Sequence, residues 1–134
     1  MTRVDFYLGD EDTPRDGLAL RLVETAYKHG HRVFLWVRED EIGAWNERLW
    51  TFSDTSFIPH GPEDEADEPV LIGARLPDSG DVLVPLMTDP PPSVAGFARV
   101  LEPVGGADAE KERSRARFRH YRRQGLEPAV HNLP

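Results

Sequence analysis

Apolar and polar positions partly alternate over Arg3-Val-Asp-Phe-Tyr-Leu8, and the run ends in Gly9-Asp10-Glu11-Asp12, the pattern of a strand entering an acidic loop. Thr13-Pro14 then predicts a helix start, with Thr13 as N-cap and Pro14 in the first helical position. Leu18, Leu22, Thr25 and Ala26 recur at helical spacing, Leu20, Val23 and Tyr27 widen the apolar face, and Gly30 is expected to stop the helix. His31–Val37 is rich in β-branched and aromatic residues and too short for a helix, so it reads as a buried strand. Strand, helix and strand make a βαβ unit, which implies parallel pairing through a right-handed crossover.

A second helix is predicted from about Glu39 to Trp50, with acidic residues at its positive end and Ile42, Trp45 and Leu49 along one face. Phe57-Ile58-Pro59-His60 is expected to be a short strand and Gly61–Pro69 a mobile Pro/Gly/acid loop. Val70–Ala74 and Val82–Leu86 read as strands separated by the turn sequence Pro77-Asp78-Ser79-Gly80. Pro90–Pro92 excludes helix or central strand, Ala98–Leu101 reads as a last strand, and 107–124 as a closing charged helix that ends at Gly125. These elements predict an α/β fold: a doubly wound, mostly parallel sheet with helices on both faces, in one domain over residues 1–134.

Composition narrows the field. Among the 134 residues there is no cysteine, which removes disulfides, thiolate chemistry and Cys-based metal sites. The longest apolar runs fall far short of the roughly 20 residues a membrane helix needs. The amino terminus does not read as a secretory signal, so a cytoplasmic protein is expected. The net charge of −8 is unevenly distributed. Residues 1–107 carry nine basic against twenty acidic side chains, whereas 108–134 carry seven against four. An acidic body repels a polyanion at long range, which argues against general nucleic-acid binding, yet a local cationic stripe still suits a short acidic segment.

Catalytic signatures are missing from the chain. The loop after the first strand is where a doubly wound protein usually holds a ligand, but it offers three carboxylates and no glycine fingerprint or P-loop. The Rossmann-like fold is therefore expected to lack a nucleotide site and any cofactor. An alternative takes Asp10 and Asp12 as Mg²⁺ ligands of a phosphoryl-transfer enzyme, since hard cations favour carboxylate oxygen. A solvated loop capping a helix explains the same residues more simply. The five histidines show no metal-ligand spacing and the serines no nucleophile-elbow context, so neither a metal centre nor a catalytic residue is assigned.

The strongest chemistry lies in the last helix. At 100° per residue, Ser114, Phe118, Tyr121 and Gly125 form one strip expected to face the sheet. Lys111, Arg115, Arg119 and Arg122 line the adjacent strip, with Arg113 and Arg117 on the opposite flank. A solvated helix complementing its own dipole is the plain reading. Seven cations within 111–123 of an otherwise acidic chain point further, to a stripe beside an apolar anchor site for a carboxylate-bearing peptide. Trp50, Phe52, Phe57 and Ile58 form a second aromatic concentration, divided between core packing and a partner surface.

Several of these residues fall in a familiar order. Phe6-Tyr7-Leu8 with Asp16-Gly17, His31-Arg32-Val33, Glu47-Arg48-Leu49-Trp50, Ser56-Phe57-Ile58-Pro59-His60, and Arg115, Arg117, Phe118, Tyr121, Arg122 and Gly125 together resemble the chi subunits of bacterial DNA polymerase III over nearly the whole chain. The resemblance implies a non-catalytic adaptor without a nucleotide site. It implies two partners: the psi subunit of the clamp-loader assembly, and the acidic, phenylalanine-ended tail of single-stranded DNA-binding protein. Carried over by position, Lys111, Arg115 and Arg119 would meet the tail's carboxylates, Phe118 and Val104 would form the pocket for its last residue, and Trp50 and Phe57 would face psi.

Overall fold

The computed structural model describes residues 2–51, 58–62 and 68–132. In chain order they form β1 (Arg3–Leu8), α1 (Arg15–Lys28), β2 (Val33–Trp36), a 3₁₀ turn (Glu39–Glu41), α2 (Ile42–Thr51), β3 (His60–Pro62), β4 (Val70–Gly73), β5 (Gly80–Pro85), β6 (Phe97–Val104), α3 (Asp108–Arg123) and β7 (Ala129–Asn132). The seven strands make one sheet in the order β3-β4-β2-β5-β6-β1-β7, and every neighbouring pair is parallel. The expected parallel α/β sheet is present. Direct pairing of the first two strands is not, because β5 and β6 lie between β2 and β1.

Side chains alternate across each strand and build a separate core on each face. Val33 and Leu35 of β2, Val82 and Val84 of β5 and Leu101 of β6 pack under α1 and α2, against Leu20, Val23, Trp45 and Leu49. Val4 and Phe6 of β1, Phe34 and Trp36 of β2, and Val100 and Val104 of β6 face the other way, toward Tyr121 and Phe118 of α3. Helices therefore do cover both faces. Parallel neighbours are usually joined by a helical crossover, but residues 74–79 and 86–96 cross the α3 side as coil. They fill it with Leu76, Met87 and Val94.

The ends of the helices refine the sequence reading. Pro14, not Thr13, is the N-cap of α1, and the Thr13 hydroxyl instead donates to Asp10 Oδ1 at 2.7 Å. Gly30 and Gly125 both sit at φ +84°, where a side chain is disfavoured, one residue past the caps of α1 and α3. In each case two backbone amides fold back to the last turn: His31 to Ala26 and Gly30 to Tyr27, Leu126 to Tyr121 and Gly125 to Arg122. These are Schellman closures. The predicted second helix divides into the 3₁₀ turn and α2, and the strand expected at 57–60 begins only at His60. Phe57 and most of the expected loop lie outside the described residues. The last strand predicted at Ala98–Leu101 is longer, and β7 follows it without having been foreseen.

Candidate functional site

Helix α3 presents two flanks of different character. On one, Arg117 turns inward and is 8% exposed, although the helical projection left it on an outer flank. Its Nε lies 3.0 Å from both carboxylate oxygens of Glu102, a buried residue of β6, and its Nη1 donates to the carbonyls of Met87 and Thr88 at 3.0 and 3.1 Å. The Tyr121 hydroxyl donates to the same Glu102 carboxylate. Burial pushes the Glu102 carboxyl above its ordinary range against the pull of Arg117. Burial likewise opposes the charge on Arg117, but Glu102 outweighs it and holds the guanidinium protonated. Tyr121 is raised by burial and by the adjacent carboxylate. Further along this flank, His120 Nε2 bonds the Pro91 carbonyl at 2.9 Å and the Gln124 amide donates to the Pro92 carbonyl at 2.6 Å.

The other flank of α3 faces a hollow of about 350 Å³ between the helix, β1 and β7. Phe6, Leu8, Phe118 and Val130 supply its apolar surface, and Lys111, Arg115 and Arg119 its cationic rim, with Ser114 between. The floor is built by packing: Phe6 meets Phe118 with ring centroids 5.6 Å apart and Tyr121 edge-on at 5.9 Å. Val130 is left 47% exposed. Arg115 pairs with Glu112 at 2.9 Å, but both side chains are well exposed, so the pair is easily exchanged. Lys111 and Arg119 enter none of the ion pairs seen among the described residues.

Of the residues singled out from sequence, the fold thus brings Lys111, Arg115, Phe118 and Arg119 around one hollow. Val104 is elsewhere: it is buried on β6 and lines the neighbouring 190 Å³ cavity with Glu102 and Arg117. Phe6 and Leu8 were placed on a strand by the sequence but not at a site. Their signal was the alternation with Val4, which puts all three on the α3 side.

Trp50, the penultimate residue of α2, has 56% of its surface exposed, and its ring meets His60 edge-on at 5.2 Å. His60 is fixed by the carbonyls of Ile58 at 2.6 Å and Asn46 at 3.1 Å. This aromatic platform lies by β3, at one edge of the sheet, whereas the hollow beside α3 lies by β7 at the other.

Sequence comparison joins the chain to a known family. Residues 1–129 match the family described as DNA polymerase III chi subunit, HolC. The chain belongs to that family. It is 37% identical over 140 aligned positions to the DNA polymerase III subunit chi of Pseudomonas aeruginosa, covering 100% of this chain and 99% of the relative. To the subunit chi of Escherichia coli K12 it is 31% identical, covering 94% and 95%. To that of Haemophilus influenzae it is 28% identical, covering 87% and 85%. As a chi-family chain it is an accessory subunit of the replicative polymerase.

Elsewhere on this chi-family chain, the acidic loop is occupied with its own turn. Asp10 Oδ1 accepts from the Asp12 amide at 3.0 Å and from the Thr13 hydroxyl. Those bonds hold its carboxyl below the usual range. Among the described residues no three His, Asp or Glu side chains group as a metal site, and no helix is long and apolar enough to cross a membrane. A larger hollow, about 570 Å³, lies at the N-terminal ends of β2, β4 and β5, away from α3. Its rim mixes Arg32 and Arg75 with Glu68 and Asp81 and so favours neither sign of charge.

Proposed function

We propose that this chain is a single-domain, non-catalytic cytoplasmic adaptor. In this reading the hollow beside α3 captures the acidic C-terminal tail of single-stranded DNA-binding protein, and Trp50 and Phe57 serve the contact with the psi subunit. The observation that carries the reading is the pairing of an apolar floor with a rim of three cations, on a chain that is otherwise acidic. A peptide ending in an aromatic residue places its side chain against Phe118 and Phe6, while its carboxylates meet Lys111, Arg115 and Arg119. Guanidinium groups suit this task because their fixed donor forks match a carboxylate. The acidic remainder of the chain repels bare nucleic acid, so the contact with DNA runs through the partner protein.

The energetics assign the roles. Each exposed ion pair contributes about 0.2–1 kcal/mol, and burying an aromatic or aliphatic anchor about 1.5–3 kcal/mol. Both contributions are small, so the complex is expected to be modest, no tighter than the micromolar range at about −8 kcal/mol. Fluorescence anisotropy with a labelled acidic peptide ending in phenylalanine tests the assignment at low salt. Arg115→Ala and Arg119→Ala are expected to weaken binding, most strongly together; unchanged affinity in the double variant rejects this site.

A further inference from the structure

Strand β7 is the outermost strand beside β1, four residues long, and pairs with β1 alone. So short an edge strand, paired on one side only, gains little from its ladder. Its side chains alternate between the two faces of the sheet. Val130 points into the hollow beside α3, and His131 points to the opposite face. There His131 Nε2 lies 2.8 Å from Oδ1 of Asp5, whose side chain is wholly buried, and its ring stacks on Tyr7 at 4.8 Å and 21°. The other Asp5 oxygen takes Nε of Arg99 and of Arg3, each at 3.0 Å. Arg99 also donates to the Tyr7 hydroxyl at 2.9 Å.

We propose that His131 is a positioning residue for the hollow: through Asp5 and Tyr7 it seats β7 against β1, and so holds Val130 as one wall of the site. The proposal rests on the peptide-capture reading and adds to it a residue that touches no ligand. Without His131 the Asp5 Oδ1 keeps only the longer bond from Arg3 Nε at 3.3 Å, and β7 loses both its ring stack and its polar tie. The strand then frays and takes Val130 with it. Lys111, Arg115 and Arg119 sit on α3 and are untouched, so the loss falls on the apolar part of recognition alone.

The test uses His131→Leu, which removes donor and stack, and His131→Gln, whose amide nitrogen stands near the place of Nε2. Amide exchange is measured first in the free protein at the alternate β7 amides that point toward β1. The Leu variant is expected to exchange at least about ten-fold faster there, with Gln recovering part of the protection. Equal exchange in wild type and His131→Leu overturns the clasp, whether or not any peptide binds. Peptide titration follows. His131→Leu is expected to weaken affinity about five- to twenty-fold with the salt dependence of binding unchanged, and Val130→Ala to weaken it similarly with β7 exchange unchanged. Undiminished affinity in a fraying His131→Leu variant, or a flattened salt dependence, overturns the link between strand and hollow. A wild-type protein that binds no peptide defeats the capture reading, and the exchange result still decides the clasp.

Discussion

Arg117 and Glu102 meet across the interface of α3 and β6, with the arginine Nε 3.0 Å from each carboxylate oxygen. Two positions further along the helix, Arg119 stands on the rim of the hollow. About half a turn of helix thus separates a cation that holds the fold together from one that stands on the rim of the hollow.

Removing one partner of the buried pair is expected to be costly. Glu102→Gln leaves the Arg117 charge facing a neutral amide in a buried interface and should lower stability by about 3–5 kcal/mol. Tyr121→Phe, which takes one hydrogen bond from the same carboxylate, should cost about 1–3 kcal/mol. Chemical denaturation of the two variants checks the order. A loss under 1 kcal/mol for Glu102→Gln contradicts it.

The floor and rim of the hollow should separate by their response to salt. Phe118→Ala is expected to weaken an acidic, phenylalanine-ended peptide by about 1–2 kcal/mol while keeping the wild-type salt dependence. Arg115→Ala with Arg119→Ala should bind weakly and with a flatter dependence, since fewer screened contacts remain. Titrations at several ionic strengths read both quantities.

Asp5 gives the acid limb of the stability curve a definite sign. Burial opposes its charge, but the bonds from His131 and Arg99, with Arg99 and Arg3 close by, hold its carboxyl below the ordinary value of 3.8. A carboxylate whose folded pKa is depressed contributes stability that is complete above its unfolded pKa and is lost as pH falls through the folded one. Asp5→Asn should therefore be less stable at neutral pH and lose less on acidification below about pH 4. Thermal melts between pH 2 and pH 7 test this, and parallel curves for the two proteins argue against it.

Gly30 and Gly125 should each resist replacement for a backbone reason. A Cβ at either position meets nothing within 4 Å, so the cost of alanine comes from φ +84° alone. Gly30→Ala and Gly125→Ala are expected to cost about 1–2 kcal/mol each in urea denaturation. A neutral result at both sites removes the closure argument.

Trp50 should matter to assembly more than to folding. Its ring is largely exposed, so Trp50→Ala should change stability by about 0.5 kcal/mol or less while reducing co-purification with the psi subunit. A variant that melts well below wild type assigns the ring to the fold.

Much of this architecture was legible in the chain because its elements obey local rules. The apolar run around Val33–Trp36 and the glycines after α1 and α3 each mark an element or its end through a single short-range cause. The strip Lys111, Arg115, Arg119 was equally readable, since helical geometry alone puts those residues side by side. Arg117 was not, because an arginine on a charged helix reads as solvated until its partner is known. The trace of that partner is Glu102, a lone acid among Val100, Leu101 and Val104 in a strand that faces a helix. Strand order escaped as well: periodicity tells which residues make a strand and nothing about which strand lies beside it. β7 carries too few residues for a pattern, and its place depends on the open edge of β1. Val104 was assigned to the hollow by resemblance; it shares the α3-side face with Phe6 and Phe118, but from β6, beside Leu8, it lines the adjoining cavity.

The coil carrying Pro90–Pro92 is stitched to the back of α3 by Arg117, His120 and Gln124, through the carbonyls of Met87, Thr88, Pro91 and Pro92. A helix buttressed in this way cannot roll when a guest pulls on its front. Its cations keep their spacing whether or not anything is bound, so association forfeits little order in the host, and departure of the guest leaves the receptor ready for the next one.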